Sequence, residues 1–192
     1  MNEKKIEQLL IATGVIMDGH FLLTSGLHSS RFMQCSQLLQ YPEQTEKTAR
    51  MLAEPYQEQD VDVVIGPAMG GVILAYETAR VLGARALYAE PAEGKMVLRR
   101  GFKIKTDEKV LVVEDAVTTG GSVRKVLELL ESIGVTAAGV AVMVDRSAGR
   151  VDFGLPTHSL LQLEVQSFSP EDCPFCQEGI PLQKPKSQVP LD

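Results

Sequence analysis

Two adjacent acids followed by a loop of hydroxyls and glycines form the most chemically informative segment of the chain. Glu114 and Asp115 end an apolar run, and the loop 116–122 leads into a stretch with helical spacing. Glycines let such a loop approach an anion closely, and backbone N–H groups at a helix N-terminus favour a bound phosphate. The two carboxylates can accept hydrogen bonds from vicinal hydroxyls. The segment therefore predicts a site for a ribose 5-phosphate whose 2- and 3-hydroxyls are free.

A simpler interpretation of this segment is an acidic strand end followed by an ordinary helix cap. The length of the motif and its strand–loop–helix context favour the phosphate site. The Gly-Lys-Ser/Thr of a Walker loop is absent, and the glycine spacing is not that of a Rossmann fingerprint. We expect Thr118, Thr119 and Ser122 to donate hydroxyl hydrogen bonds, and Gly120 and Gly121 to let the backbone come close.

The elements that must position this motif alternate between strand and helix patterns. Apolar, largely β-branched runs at 61–65, 86–89, 110–113 and 140–144 are typical of strands buried on both faces. Helical spacing occurs at 72–82 and 123–133. This alternation predicts an α/β fold, a parallel sheet with helices on both faces. Because ligands of open α/β sheets bind at the carboxyl ends of strands, the motif lies where a ligand is expected.

The two ends of the chain follow other patterns. Residues 1–13 and 42–54 are expected to be helical, and residues 19–33 to be irregular chain with short strands and a turn at 25–26. The last residues, 169–192, are rich in proline and polar groups. We expect them to form a tail that lies on the surface or against a partner subunit.

Composition sets the broad class. The 192 residues are 44% hydrophobic and 23% charged, the balance of one soluble globular domain. No apolar run is long enough to span a bilayer. A net charge of −6 and the lack of tryptophan argue against a protein that coats nucleic acid. Three cysteines do not supply a disulfide framework. We expect a reduced, cytoplasmic protein without membrane or nucleic-acid partners.

The segment 110–122 resembles the phosphoribosyl-diphosphate signature of the type I phosphoribosyltransferases. Residues 19–32 resemble the N-terminal hood of the orotate phosphoribosyltransferases, and residues 66–71 resemble the family's diphosphate loop. Arg146, after the fourth predicted strand, matches an arginine that contacts the orotate carboxylate in the family. The resemblance runs from about residue 3 to about residue 165 in the expected order. Thr24 and Met33 depart from the hood pattern, and the basic segment between Tyr88 and Val110 is short and holds no histidine.

The resemblance implies that the chain transfers a phosphoribosyl group from phosphoribosyl diphosphate to orotate, giving orotidine 5′-phosphate and diphosphate. It implies Mg²⁺ as cofactor, held mostly by substrate oxygens, and a homodimer with a shared active site. A phosphoribosyltransferase domain would span 1–168, with the hood at about 1–35, the core at about 40–165 and the tail at 169–192.

The resemblance also assigns roles to individual residues. The catalytic residues would be Lys95, Arg99, Arg100 and Asp115. Orotate would bind to Thr118, Arg146 and Phe32. Phosphoribosyl diphosphate would bind to Ala68, Met69, Gly70, Glu114, Asp115, Ala116, Val117, Thr118, Thr119, Gly120, Gly121 and Ser122.

Several alternatives remain open at this point. The basic segment, which continues to Lys103 and Lys105, is also compatible with a solvated β-hairpin, and Arg146 with a surface arginine after a strand. The chain could act on another nucleobase, or be a non-catalytic regulator that senses phosphoribosyl diphosphate. The absence of a helix-turn-helix before the domain, the acidic net charge and the basic segment favour the enzyme.

Cys173 and Cys176 have the spacing of half a zinc site. One pair is not four ligands, so Cys35, His158 or a second pair from a twofold partner would have to complete the site. Without a metal, these residues would be reduced thiols. The histidines His20, His28 and His158 are expected to be structural or exposed rather than catalytic.

Overall fold

The described part of the chain contains nine strands, six α-helices and one short 3₁₀ helix, Glu54–Tyr56. The computed structural model describes residues 3–23 and 25–184, so the hood residue Thr24 and the end of the tail lie outside it. The strands are β1 (Ile16–Leu22), β2 (His28–Met33), β3 (Val63–Pro67), β4 (Arg85–Ala92), β5 (Lys95–Val97), β6 (Val110–Val117), β7 (Ala137–Asp145), β8 (Thr157–Gln162) and β9 (Ser167–Phe168). The helices are α1 (Glu3–Ala12), α2 (Ser36–Leu39), α3 (Pro42–Ala53), α4 (Gly70–Leu82), α5 (Gly121–Ser132) and α6 (Pro174–Gln177).

The larger sheet has six strands in the order β5-β4-β3-β6-β7-β8. All neighbouring pairs are parallel except β4 and β5, which form an antiparallel hairpin at one edge. The four predicted strands become β3, β4, β6 and β7, which are adjacent in the middle of this sheet. The predicted parallel α/β fold is therefore confirmed.

The β-branched runs are continuous because the central strands are covered on both faces. In β3, Val63 and Ile65 pack in the cluster that contains the buried residues of α5. Val64, between them, packs in the opposite cluster with Leu52 of α3 and Leu74 of α4. Burying an aliphatic side chain of this size contributes about 1.5–3 kcal/mol, so both faces favour apolar residues. Helices on both faces thus follow directly from the strand sequence.

The helix α4 buries one stripe of small and apolar side chains. Its buried residues are Gly71, Leu74, Ala75, Thr78 and Ala79, which recur at helical spacing. The helix begins two residues earlier than predicted and ends at Leu82, and the capping residue Gly83 has a left-handed φ of 69°.

The hood is a three-stranded sheet in the order β1-β2-β9, which is more regular than the irregular chain with short strands that the sequence predicted. The strands β1 and β2 pair antiparallel from Ile16↔Met33 to Leu22↔His28. The C-terminal segment returns to this sheet, because the amide of Gln183 donates to His20 O at 2.8 Å. Up to residue 184, the tail therefore lies on the surface of the hood of its own chain, and most of its residues are exposed.

Two strands differ from their predicted extent for topological reasons. β6 was expected to end at Val113, but it continues to Val117 because that residue pairs with Asp145 of β7. β8 was not predicted, since an edge strand with the sequence THSLLQ has no continuous apolar run. Across 3–23 and 25–184, no helix combines the length and the apolar character that crossing a membrane requires.

Candidate functional site

A cleft of about 440 Å³ opens where β6 ends and α5 begins. Glu114 lies at its base, and Pro91 and Met96 of the β4–β5 hairpin form the opposite wall. The other lining residues are Ala68, Ala116, Val117, Thr118, Thr119, Gly120, Gly121, Ser122, Val123 and Lys125. The structure therefore brings most of the predicted phosphate loop together around one cavity.

The acid pair is held rigidly by the backbone around it. Glu114 is only 6% exposed, and its Oε1 accepts a hydrogen bond from the Asp115 amide at 3.1 Å. Asp115 Oδ1 accepts one from the Ala116 amide at 2.8 Å. Burial, followed by the nearby charge of Asp115, raises the pKa of Glu114 well above its ordinary range. In the free protein the pair therefore holds a proton near neutral pH, and Glu114 can donate as well as accept a hydrogen bond.

The phosphate loop presents donors to the cleft. The hydroxyls of Thr118, Thr119 and Ser122 make no hydrogen bond to any described residue and line the cavity. α5 begins without a side-chain cap, and its first amides point toward the same space. Gly120 precedes the helix with a φ of 76°, a conformation that side chains disfavour. This arrangement can bind a phosphate through backbone and hydroxyl groups together.

The predicted diphosphate loop packs directly against the acid pair. A Cβ added to Gly70 would lie 2.6 Å from Asp115 Oδ1, so only glycine allows this approach. The amide of Ala68 donates to Ala89 O at 2.8 Å, which ties the loop to β4. Ala68 and Met69, joined by a cis peptide bond, line a second cleft of about 530 Å³ beside the first. The two loops, distant in sequence, thus form one continuous site.

The basic segment lies at the edge of this region on the β4–β5 hairpin. Arg100 lines the second cleft, and its Nε donates to Glu90 Oε1 at 2.8 Å. Lys95 begins β5, and its side chain and that of Arg99 are exposed. Neither of these two belongs to the lining of the two clefts. Their catalytic role therefore stays a prediction, and Arg100 is engaged by an acid of its own chain.

Arg146 lies next to the phosphate loop, since its amide donates to Val117 O at 2.7 Å. Its side chain is half-buried, and burial lowers the pKa of the guanidinium. The Nε atom is buried and has no hydrogen-bond partner among the described residues. A buried donor without a partner is costly, so an anionic ligand that paired with this atom would be favoured. Arg146 does not belong to the lining of either cleft, and its contact with orotate stays a prediction.

Phe32, on β2, packs against Phe21 with the ring centroids 5.7 Å apart. It does not belong to the lining of either cleft. Its contact with a base stays a prediction.

The sequence did not single out Lys125, Pro91 or Met96, all of which line the first cleft. Lys125 lies one turn into the helix that follows the phosphate loop, and this position could have identified it from the sequence as a residue of the cleft. Pro91 and Met96 reach the cleft only because the β4–β5 hairpin folds over it, with Pro91 opposite Met96. No sequence pattern marks that contact.

The cysteines are arranged differently from the alternatives suggested by the sequence. Cys35 lies beneath the acid pair, with its Sγ 3.8 Å from Asp115 O. His158 lies on β8. Neither joins Cys173 and Cys176, which instead meet His20 and His28. The idea that Cys35 or His158 completes the pair is therefore wrong.

Comparison with known proteins places this site in a family. The family model for the phosphoribosyl transferase domain matches residues 34–153. An orotate phosphoribosyltransferase of Caldanaerobacter subterraneus subsp. tengcongensis is 51% identical over 188 residues, which is 98% of this chain and 99% of the relative.

Two solved structures share the fold. The orotate phosphoribosyltransferase of Aeropyrum pernix has a TM-score of 0.65 at 28% identity, covering 82% of this chain and 93% of the other. An adenine phosphoribosyltransferase of Rhodothermus marinus also reaches 0.65, at 24% identity over 84% of this chain and 100% of the other. The fold alone therefore does not identify the nucleobase on which such an enzyme acts. The sequence identity over nearly the whole chain does identify the family. The chain belongs to the phosphoribosyl transferase family and, within it, to the orotate phosphoribosyltransferases.

Proposed function

We propose that this protein transfers the phosphoribosyl group of phosphoribosyl diphosphate to orotate, releasing diphosphate and forming orotidine 5′-phosphate. One observation carries the proposal: Glu114 of the acid pair, a hydroxyl-rich loop and a helix N-terminus line a single cleft in a chain that matches orotate enzymes over nearly its whole length. The reaction replaces the C1–O bond to diphosphate with a C1–N bond to the base.

The residues of the cleft divide the work of binding. The phosphate loop and the first amides of α5 bind the 5-phosphate, and Lys125 adds a positive charge at the rim. Glu114 and Asp115 bind the ribose 2- and 3-hydroxyls. Since C1 gains positive character as diphosphate leaves, carboxylates beneath the ribose also stabilise the transition state.

The oxygen donors around the cleft fit Mg²⁺. This ion prefers carboxylate, hydroxyl and substrate phosphate oxygens and retains several waters. The chain offers the Asp115 carboxylate beside the diphosphate loop, and the substrate would supply the remaining oxygens. Bound there, Mg²⁺ would neutralise charge on the leaving diphosphate. The donor set thus supports Mg²⁺ as cofactor.

Arg146 would bind the carboxylate of orotate. Its Nε is buried without a partner, and a guanidinium forms paired hydrogen bonds with a planar carboxylate. Thr118, in the lining of the first cleft, would contact the base. Phe32 would approach the base from the hood.

A homodimer with a shared site is part of the proposal. Met69, Ile73 and Tyr76 form an apolar stripe along α4 and are 85%, 50% and 62% exposed. A stripe of this kind beside the diphosphate loop favours pairing with a second copy of the chain. Lys95 and Arg99, exposed on the hairpin, would then reach the partner's diphosphate.

We place the enzyme in the cytoplasm.

The direct test follows the ultraviolet absorbance of orotate with phosphoribosyl diphosphate and Mg²⁺. We expect consumption only when both are present, with Asp115→Asn nearly inactive and the exposed-site control Asp107→Asn unchanged. Consumption of adenine, hypoxanthine or uracil with orotate untouched would replace orotate as the substrate. Tight binding of phosphoribosyl diphosphate without turnover of any base would favour the regulator instead.

A further inference from the structure

Four metal-ligating side chains meet where the tail crosses the hood. His20 of β1, His28 of β2, and Cys173 and Cys176 of the tail place one ligand atom each within 4.8 Å of the others. His20 and Cys173 are 0% exposed and His28 is 5% exposed, while Cys176 is exposed. The residues come from two distant parts of the sequence, the hood and the tail. This cluster, here called the tail cluster, lies outside the lining of both clefts.

Four of the six separations within the tail cluster are close to those of a tetrahedral metal site, and the other two are no longer than 4.8 Å. His20 Nε2 lies 3.0 Å from His28 Nδ1 and 3.4 Å from Cys173 Sγ. Cys176 Sγ lies 3.7 Å from His20 Nε2 and 3.3 Å from His28 Nδ1. Zinc bonds of about 2.0–2.1 Å to nitrogen and about 2.3 Å to sulfur put tetrahedral ligand atoms about 3.3–3.8 Å apart. The four observed separations agree with this range to within about 0.3 Å.

Hydrogen bonding between the four groups does not account for the arrangement. His20 Nδ1 lies 2.8 Å from Ile180 O, so this nitrogen carries the proton and Nε2 has a free lone pair. That one lone pair faces three neighbours, His28 Nδ1, Cys173 Sγ and Cys176 Sγ. A single lone pair cannot accept hydrogen bonds from three donors at once, whereas one cation can be coordinated by the lone pairs of all four groups. The bond to Ile180 also fixes the ring as metal-ligating histidines require.

We propose that His20, His28, Cys173 and Cys176 bind one structural Zn²⁺ that fastens the tail to the hood. Two thiolates and two imidazoles form a closed tetrahedral set typical of structural zinc, and they leave no position for substrate. The tail already contacts the hood through the Leu22 amide, which donates to Gln183 O at 2.9 Å. Zinc adds a far stronger link at the same place. The hood that carries Phe32 is thereby held in one conformation.

The first test measures zinc in the full-length protein purified without chelator and with reducing agent. We expect about one zinc per chain, and tetrahedral visible absorption after replacement by Co²⁺. Because zinc binds the folded chain, its removal should also lower the thermal unfolding midpoint by several degrees, and added zinc should restore it. Protein that neither contains zinc nor takes it up, or that carries a Cys173–Cys176 disulfide by intact mass, would overturn the proposal.

Matched variants then test the ligand set. Cys176→Ser and His28→Gln should each weaken zinc binding, measured by chelator competition, by at least about tenfold. Cys35→Ser and His158→Gln change the same residue types outside the tail cluster and should retain full zinc. Equal zinc affinity in all four variants would overturn the assignment. Where a variant fails to fold, the absorption spectrum of the native protein loaded with Co²⁺ tests the ligand set instead. The absence of a sulfur-to-cobalt charge-transfer band would exclude thiolate ligands and overturn the proposal.

Discussion

Gly120, the residue that caps α5, is expected to be far more sensitive to substitution than its neighbour Gly121. Gly120 has a φ of 76°, and a Cβ added there would lie 2.8 Å from both Phe153 Cε1 and Val151 Cγ1. Gly121 has no such strain, and its added Cβ would meet only Thr119 Oγ1 at an ordinary 3.7 Å. The variants Gly120→Ala and Gly121→Ala therefore test the same added methyl group at two adjacent positions of one loop.

The expected cost for Gly120→Ala follows from three contributions. The left-handed conformation costs about 1–2 kcal/mol for a residue with a Cβ. Displacing the two side chains costs about 1–3 kcal/mol, and their partial exposure favours the lower end. The added methyl group also lowers the conformational entropy of the unfolded chain, which offsets about 0.4–1 kcal/mol of this loss in stability. The net loss is about 1–3 kcal/mol. Gly121→Ala, at the first turn of a helix, should be neutral or stabilising by up to about 1 kcal/mol.

Urea unfolding of the ligand-free protein measures both variants against the wild type, compared at a common slope. Gly120→Ala should also raise the KM for phosphoribosyl diphosphate, because the loop must move away from Phe153. Gly121→Ala keeps its backbone amide and should change this KM little. A stability difference between the two variants below about 1 kcal/mol would refute the geometric reasoning.

Three further expectations concern charged residues. Burial raises the pKa of Glu114 in the folded state, so the stability of the folded protein falls as the pH rises above the unfolded pKa of about 4.3. Glu114→Gln should therefore have a higher thermal unfolding midpoint than the wild type at pH 8, and the difference between the two midpoints should disappear below about pH 4. Equal midpoints for the two proteins at both pH values would contradict this expectation. Arg146→Ala should cost about 1.5–3 kcal/mol in kcat/KM for orotate with phosphoribosyl diphosphate binding nearly intact, and calorimetry showing the reverse would remove Arg146 from the base site. Lys95→Ala and Asp115→Asn should each inactivate the homodimer, yet refolding them together should recover roughly a quarter of wild-type activity if Lys95 acts across the interface. No recovery, with mixed dimers confirmed by native mass spectrometry, would place Lys95 in its own subunit's site.

Strands and helices whose burial leaves a local pattern could be predicted from the sequence. Val63, Val64 and Ile65 identify a strand covered on both faces, because each side chain must be apolar. The acid pair and the glycine–hydroxyl loop identified the phosphate site, because its backbone donors lie in one continuous segment. Recognition of a phosphate by consecutive amides is a local property of the chain.

Contacts between distant segments could not be predicted from the sequence and became visible in the folded chain. Gly70 meets Asp115, the β4–β5 hairpin covers the cleft, and the Arg146 side chain is left with a buried, unpartnered Nε. The tail cluster shows the same limit: Cys173 and Cys176 were visible as a pair, but His20 and His28 were not identifiable as their partners. β1 and β2 pair across the hood, and the tail returns to them over more than a hundred residues. Such contacts depend on how elements pack, and no local spacing in the sequence encodes which distant side chains will meet.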